Sequence, residues 1–140
     1  MERRGSLLIV EDEEVLRTLV AEFLRNEGYE VTEAGDGGEG VRRYQDQGPF
    51  DLLLVDLRMP VMTGVEVCRR VKRLNPEQRV MVCSAAIVRE SEEALHAVGV
   101  DHFLTKPYHP ESLLAHIRQE IGQRTAATPT LPVLTPKIPG

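Results

Sequence analysis

The stretch DLLLVDLRMP, residues 51–60, decides the fold of this chain. Its four consecutive apolar residues, 52–55, form a run that is typical of a β-strand buried on both faces, as in a parallel sheet. Asp56 ends the run, and open α/β sheets bind their ligands at the carboxyl ends of their strands. We therefore predict a central strand over residues 51–55, with a functional carboxylate, Asp56, at its end.

Four more short apolar runs predict strands, and the segments between them have helical spacing. The predicted strands cover residues 7–10, 29–33, 79–83 and 100–104, and the predicted helices cover residues 15–24, 36–47, 63–74, 90–98 and 110–121. Five strands that alternate strictly with five helices predict a parallel sheet with helices on both faces, joined by right-handed crossovers.

The spacing of apolar residues also predicts which side of each helix is buried. The first helix is expected to bury Val15, Leu16, Leu19, Val20, Phe23 and Leu24, and the third is expected to bury Val67, Cys68, Val71 and Leu74. The second helix is predicted to be weak, because its three glycines (Gly37, Gly38 and Gly40) lower helix propensity.

The composition is that of one soluble domain. The chain has 140 residues, of which 41% are hydrophobic and 28% charged, as in ordinary globular proteins. A formal net charge of −5 argues against binding to nucleic acid or to an anionic membrane surface. No apolar stretch has the length of a membrane span or of a signal peptide, so we expect a cytoplasmic protein. Cys68 and Cys83 lack metal-ligand spacing and are expected to be reduced thiols in the core.

The composition changes near the end of the chain. We expect one domain over residues 1–122, followed by a tail or linker over residues 123–140. This last segment contains four prolines, Pro129, Pro132, Pro136 and Pro139. Proline interrupts helices, so the segment is predicted to be extended or disordered.

Charged and hydroxyl side chains follow four of the predicted strands. Glu11 and Asp12 follow the first strand, Asp56 the third, Ser84 the fourth and Lys106 the fifth. Carboxylates about 4 Å apart repel by on the order of 4 kcal/mol at an effective dielectric constant of about 20. Mg²⁺ would offset this repulsion, because it binds one or two protein carboxylates and keeps several waters. The pattern therefore predicts a pocket for Mg²⁺ and a phosphoryl group.

These residue types suit phosphoryl transfer. The Asp56 carboxylate can attack phosphorus to form an acyl phosphate, while Lys106 and the Ser84 hydroxyl hold the phosphoryl oxygens. Each residue alone also has a structural explanation, because acids favour helix N-termini and Ser and Asp cap helices. The presence of all these residues at the ends of four strands indicates a phosphoryl-transfer site much more specifically than any one of them does.

The motifs resemble the receiver domain of two-component response regulators over residues 6–121. They are IVEDE at 9–13, EAGDG at 33–37, LVDLRMP at 54–60 and DHFLTKP at 101–107. The resemblance implies a doubly wound, flavodoxin-like α/β fold with strand order 2-1-3-4-5. It also implies a cis peptide bond between Lys106 and Pro107.

The resemblance implies that Asp56 accepts a phosphoryl group from the phosphohistidine of a sensor histidine kinase or a phosphotransfer protein. Lys106 and Ser84 would bind the oxygens of that group. Such a protein is a signalling phosphoacceptor and not an enzyme, apart from limited self-phosphorylation from small donors and self-dephosphorylation.

The resemblance further implies a metal site and a conformational switch. The implied Mg²⁺ ligands are Glu11, Asp12, Asp56 and the backbone carbonyl of Arg58. Ser84 and Phe103 would form the switch, which alters the face made by the fourth helix, fifth strand and fifth helix. A partner or a second copy of the chain, in a homodimer, would bind that face.

Two other classes of protein stay open. A phosphohydrolase of the haloacid dehalogenase type also uses a strand-end aspartate and Mg²⁺, but it needs an acid/base aspartate two residues later, where this chain has Arg58. A receiver-like interaction module that works without phosphorylation has no need for the complete set of pocket residues. The chain is expected to be either a stand-alone receiver or the receiver portion of a longer regulator.

Overall fold

The computed structural model describes residues 4–127 of the chain. Five strands alternate with five helices: β1 (Gly5–Val10), α1 (Glu14–Asn26), β2 (Tyr29–Ala34), α2 (Gly37–Gln47), β3 (Leu52–Asp56), α3 (Gly64–Leu74), β4 (Val80–Ser84), α4 (Arg89–Ala97), β5 (His102–Thr105) and α5 (Pro110–Ala127). The strands form one parallel sheet in the order β2-β1-β3-β4-β5. The predicted fold class and strand order are therefore confirmed.

The register of the sheet brings the carboxyl ends of the central strands to one edge. Val10 pairs with Val55, and Asp56 pairs with Cys83 on the next strand. Ser84 in turn pairs with Thr105. Residues that follow β1, β3, β4 and β5 directly must therefore meet at the same edge.

The sheet separates two apolar layers. On one face, side chains of β1, β3 and β4 pack against α2, α3 and α4, with Tyr44, Val67 and Leu95 among the buried residues. On the other face, alternate side chains of the same strands pack against α1 and α5, with Leu24 and Ile117 buried. Every residue of β3 and β4 is buried, which is why these strands have continuous rather than alternating apolar sequences.

Two helices bury fewer apolar residues than the spacing of those residues predicts. On α1, Val15 and Leu19 are 70% and 60% exposed, so the prediction that they belong to its buried face is wrong. Leu74 at the end of α3 is 52% exposed, and its predicted burial is also wrong. The rest of the structure covers only part of the apolar face of each helix, and the remaining apolar side chains are exposed to solvent.

Side-chain caps fix where α2 and α3 begin. The Asp36 carboxylate accepts a hydrogen bond of 2.7 Å from the backbone N–H of Glu39, and the Thr63 hydroxyl accepts one of 3.3 Å from that of Glu66. Each cap provides a partner for one N–H group that a helix start leaves unpaired. Both helices therefore begin one residue later than the sequence predicts.

The last helix is longer than expected. α5 continues to Ala127, so the predicted start of the tail at residue 123 lies within the helix. The proline-containing segment 128–140 lies outside the described residues, and its extended or disordered character stays a prediction. Lys106–Pro107 is a cis peptide bond, as the resemblance implied.

Candidate functional site

Three carboxylates meet at the carboxyl edge of the sheet. Asp56 is the last residue of β3, and Glu11 and Asp12 follow β1 directly. Glu11 and Asp56 are buried, while Asp12 is exposed. One oxygen from each of the three carboxylates lies within 4.8 Å of the other two. The structure thus brings together the three acids that the sequence placed in one pocket.

An ammonium group lies between two of these acids. Lys106, which follows β5, donates a hydrogen bond of 2.7 Å from Nζ to Glu11 Oε1. The same Nζ lies 3.4 Å from Asp56 Oδ1. Because Lys106 is separated from Asp56 by 50 residues in sequence, only the strand order places its charge here.

Burial opposes the charged forms of the two buried acids. Burial raises the pKa of Glu11 above 4.5, although Lys106 and the backbone N–H of Glu13 act to lower it. Burial likewise raises the pKa of Asp56 above 3.8, against the lowering effect of Lys106. For Lys106, burial acts to lower the pKa, but its contacts with Glu11 and Asp56 outweigh burial and raise the pKa above 10.5.

These residues fit a magnesium ion. Three carboxylates and one ammonium leave an excess of negative charge in a partly buried pocket, and their oxygens are the hard ligands that Mg²⁺ prefers. The exposure of Asp12 leaves one side of the cluster open to water, and Mg²⁺ usually keeps several water ligands. Glu11, Asp12 and Asp56 are therefore the side chains that would hold the ion.

Arg17 holds the loop that carries the first two acids. From α1, its Nη1 donates a hydrogen bond of 2.9 Å to the backbone carbonyl of Glu11. Its Nε lies 3.3 Å from Glu33 Oε1, which fixes the guanidinium at the end of β2. Sequence reasoning missed Arg17, and its position in a helical pattern carries no motif that marks it.

The backbone around Asp56 is tightly packed. Gly64, the first residue of α3, donates a backbone hydrogen bond of 2.9 Å to the Leu57 carbonyl. A Cβ atom at this position would lie 2.4 Å from the carbonyl oxygen of Asp56, which is too close for any other residue. In the intervening loop Val61 adopts a positive φ of 68° with an exposed side chain, a conformation that is unfavourable for a β-branched residue.

Arg58 lies in this loop, two residues after Asp56. Its backbone N–H donates a hydrogen bond to the Asp56 carboxylate and acts to lower the pKa of Asp56. Its side chain is exposed. The main chain of Arg58 thus lies next to the site, where its carbonyl was predicted to bind the metal ion.

Ser84 ends β4 and is fully buried. Its hydroxyl donates a hydrogen bond of 3.1 Å to the Ala86 carbonyl and accepts a weaker one of 3.4 Å from the Ala86 N–H. The residue is therefore at the predicted edge of the sheet, with its hydroxyl bonded to the loop before α4.

Phe103 lies on the side of β5 that faces α4. It is partly buried against the core, and its ring packs edge-on against His96 of α4, with ring centroids 5.9 Å apart. Ser84 and Phe103 thus both contact the segment 86–96, one at its start and the other at its end.

Residues 7–118 match the family of response regulator receiver domains. The chain belongs to this family. The resemblance seen in the motifs is therefore confirmed over most of the chain.

Curated relatives are regulators of greater length. The sensory transduction protein RegX3 of Mycolicibacterium smegmatis is 37% identical over 113 residues, which cover 81% of this chain and 49% of that protein. The probable transcriptional regulatory protein TcrX of Mycobacterium tuberculosis is 32% identical over 123 residues, covering 88% and 52%. The chain thus spans about half the length of the curated relatives it matches.

Solved receiver structures superpose closely on the chain. A CheY-like receiver domain protein from Methanospirillum hungatei gives a TM-score of 0.82 at 26% identity, covering 89% of this chain and 98% of that one. The chemotaxis protein CheY4 of Vibrio cholerae gives 0.77 at 30% identity, covering 85% and 98%. Within residues 4–127, no helix has both the length and the apolar character needed to cross a membrane.

Proposed function

We propose that this receiver domain takes a phosphoryl group from a phosphohistidine onto Asp56 in the presence of Mg²⁺. The observation that carries the proposal is the convergence of the three acids within 4.8 Å, with Lys106 Nζ 3.4 Å from an Asp56 oxygen. The phosphodonor is a sensor histidine kinase or a histidine phosphotransfer protein.

In the transfer, an oxygen of Asp56 attacks phosphorus and forms a P–O bond. The P–N bond to the donor imidazole breaks, and the bonding electrons leave with that imidazole. Lys106 stabilises the phosphoryl oxygens by its charge, in a pocket where burial strengthens electrostatic interactions. Glu11, Asp12, Asp56 and the carbonyl of Arg58 would hold Mg²⁺, which when bound would supply additional positive charge for those oxygens.

The product is a stoichiometric phosphoprotein rather than a turnover enzyme. Hydrolysis of a small phosphoester in the manner of a haloacid dehalogenase requires an acid/base carboxylate two residues after the nucleophile, and that position is Arg58, with an exposed side chain. Slow self-phosphorylation from small donors and slow self-dephosphorylation belong to the same chemistry. The complete pocket also disfavours an interaction module that works without phosphorylation.

The switch is proposed to run from Ser84 through the segment 86–96 to Phe103. A phosphoryl group on Asp56 adds charge and acceptor oxygens, which compete with the Ala86 carbonyl for the Ser84 hydroxyl. When Ser84 turns towards the phosphoryl group, the loop before α4 moves and Phe103 repacks. The face made by α4, β5 and α5 then presents a new surface to a partner or to a second copy of the chain.

The proposed docking side for the phosphodonor is α1. Val15 and Leu19 are exposed one turn apart on the helix that begins three residues after Glu11, so apolar surface lies beside the carboxylate cluster. With a net charge of −5, this chain is not proposed to bind nucleic acid or a membrane itself. The proposal also includes a cytoplasmic location, a single receiver domain whose last helix is α5 and a linker role for the proline-containing segment.

Phosphotransfer profiling tests the proposal. Each histidine kinase or phosphotransfer protein of the host is autophosphorylated with labelled ATP and mixed briefly with the chain and Mg²⁺. At least one donor should transfer its label to the wild type and to Asp46→Asn, an exposed control with the same chemical change, but not to Asp56→Asn. Labelling of Asp56→Asn, or transfer from none of the donors, would contradict the proposal.

A further inference from the structure

A second cluster of titratable side chains lies at the opposite end of β5 from Lys106. His102 begins β5, and His116 and Glu120 are one turn apart on α5. His102 Nδ1 lies 2.5 Å from Glu120 Oε2, and His102 Nε2 lies 3.0 Å from His116 Nδ1. At about 3.3 Å per residue along a strand, the four residues from His102 to Lys106 separate this cluster from the carboxylate site by about 13 Å.

The carboxylate determines which nitrogen of His102 carries a proton. An ionised Glu120 accepts hydrogen bonds but cannot donate them, so His102 Nδ1 must be its donor. In a neutral ring, Nε2 then carries a lone pair, which accepts the hydrogen bond of 3.0 Å from His116 Nδ1–H. When a metal ion takes the place of this hydrogen bond, the proton of His116 moves to its Nε2, so that both facing nitrogens offer a lone pair. Glu120 is itself held in place by Arg79, whose Nη1 lies 3.4 Å from Oε1.

This arrangement is what metal-binding histidines require. A histidine that binds a metal ion donates its other ring N–H to a carboxylate, which fixes the tautomer and the ring orientation. Two nitrogen ligands at about 2.0–2.1 Å from a tetrahedral ion are about 3.4 Å apart, close to the 3.0 Å between His102 Nε2 and His116 Nδ1. The two rings are inclined at 73° and are partly exposed, which leaves room for water ligands.

We propose that His102 and His116 bind one divalent transition-metal ion, of the Zn²⁺ and Ni²⁺ class, through His102 Nε2 and His116 Nδ1. Glu120 is a positioning residue that orients His102, and water completes the coordination. Imidazole ligands suit Zn²⁺, Ni²⁺ and Cu²⁺, whereas Mg²⁺ prefers oxygen, so the site is chemically distinct from the acidic pocket. The ion ties the edge strand of the sheet to the last helix, and its binding does not depend on phosphoryl transfer.

Equilibrium titration of the untagged chain with Ni²⁺ or Zn²⁺ tests the site, with excess Mg²⁺ present to fill the acidic pocket. The chain has four histidines, so the variant His96→Gln/His109→Gln leaves only the proposed pair. The wild type and this control should bind one equivalent with the same affinity. His102→Gln and His116→Gln should each lose at least about tenfold in affinity, and Glu120→Gln should lose about tenfold, as is typical for a group that orients a metal ligand.

Long-range ¹H–¹⁵N spectra of the imidazoles provide a readout that a merely structural role would not alter. Without metal, His102 should have its proton on Nδ1, and Glu120→Gln should shift that tautomer equilibrium. Addition of Zn²⁺ should move the His102 Nε2 and His116 Nδ1 signals together. Absence of Ni²⁺ and Zn²⁺ binding in the wild type, or loss of binding in the His96→Gln/His109→Gln control, would overturn the proposal. Folding of each variant is checked by its melting temperature.

Discussion

Replacing Asp56 with asparagine should stabilise the metal-free protein. The change keeps the size and shape of the side chain but removes one of three carboxylates whose oxygens lie within 4.8 Å of one another. Lys106 keeps its 2.7 Å hydrogen bond to Glu11, so the substitution does not leave a buried ammonium without a partner. The variant therefore isolates the cost of placing the Asp56 charge in this pocket.

The distances give the charge–charge part of the magnitude, and burial of the Asp56 charge, the largest cause of its raised pKa, adds to it in the same direction. At an effective dielectric constant of about 20, each of the two like-charge pairs that include Asp56 costs at least about 3.5 kcal/mol, or about 7 kcal/mol together. Attraction between Asp56 and Lys106 at 3.4 Å offsets about 5 kcal/mol of this repulsion by the same relation. A neutral amide also accepts the Arg58 N–H less strongly, which costs about 1 kcal/mol. Asp56→Asn should then raise the free energy of unfolding by about 1 to 2 kcal/mol, or the melting temperature by about 4 to 8 °C.

The assay is thermal unfolding in EDTA, followed by circular dichroism, and then in millimolar Mg²⁺. Mg²⁺ at ten times its dissociation constant should stabilise the wild type by about 1.4 kcal/mol and should stabilise Asp56→Asn much less. The control Asp46→Asn, on the exposed side of α2, should melt within about 2 °C of the wild type in EDTA and respond fully to Mg²⁺.

The stabilisation by Asp56→Asn should depend on pH. Burial raises the pKa of Asp56 above its ordinary value of 3.8, so its charge destabilises the fold above the raised pKa and ceases to do so below the unfolded value. The advantage of Asp56→Asn in EDTA should therefore be full at neutral pH and shrink as the pH falls through the raised pKa. An advantage that is absent at neutral pH, or an undiminished response of the variant to Mg²⁺, would refute the electrostatic reasoning.

Four further perturbations test other parts of the structure. Beryllofluoride with Mg²⁺ should raise the melting temperature above that with Mg²⁺ alone, because it occupies the place of a phosphoryl group; no shift at millimolar concentrations would contradict this. Lys106→Ala should lower the stability measured by urea unfolding by about 2 kcal/mol, since it leaves two buried carboxylates without their cation, and a stability equal to that of the wild type would be the contrary result. Val61→Gly should stabilise the chain by about 1 kcal/mol because it removes a β-branched residue from a positive φ. An unchanged midpoint of urea unfolding would contradict this prediction. Gly64→Ala should destabilise by about 3 kcal/mol because its Cβ has no room beside Asp56, whereas the control Gly38→Ala in α2 should stabilise by about 0.5 to 1 kcal/mol; equal effects would contradict the close packing.

The position of the site could be predicted from the sequence because of a geometric rule. Parallel strands that alternate with helices end at one edge, so residues that follow different strands meet there. Glu11, Asp56 and Lys106 are far apart in sequence, yet each directly ends or follows an apolar run. The strand order came from family resemblance, since the spacing of apolar residues does not say which strands are neighbours.

The buried faces of the helices were predicted less well, because apolar spacing does not show how wide a face the sheet covers. Val15 and Leu19 belong to the apolar stripe of α1 but lie on its outer side, while the small Ala21 is fully buried. The glycines of α2 illustrate the same limit. Gly40 looks like a weak point of the helix, but a Cβ there would lie 2.8 Å from the side chain of Val10, so it allows α2 to approach β1 closely.

Contacts between distant side chains were beyond the reach of sequence patterns. Arg17 donates a hydrogen bond to the Glu11 carbonyl, but no sequence motif distinguishes this residue from a solvent-exposed arginine. His102, His116 and Glu120 meet only because β5 is the edge strand beside α5. In both cases the chemistry depends on side-chain directions that become defined after the sheet has formed.

The most direct test of the central claim is to locate the phosphoryl group on the chain. The protein is treated with acetyl phosphate and Mg²⁺, the acyl phosphate is reduced with borohydride, and the peptides are mapped by mass spectrometry. We predict a single reduced residue, at position 56, that requires Mg²⁺ and is absent when EDTA replaces it. A modification at another carboxylate, or one at Asp56 that forms equally well without a divalent cation, would contradict the account.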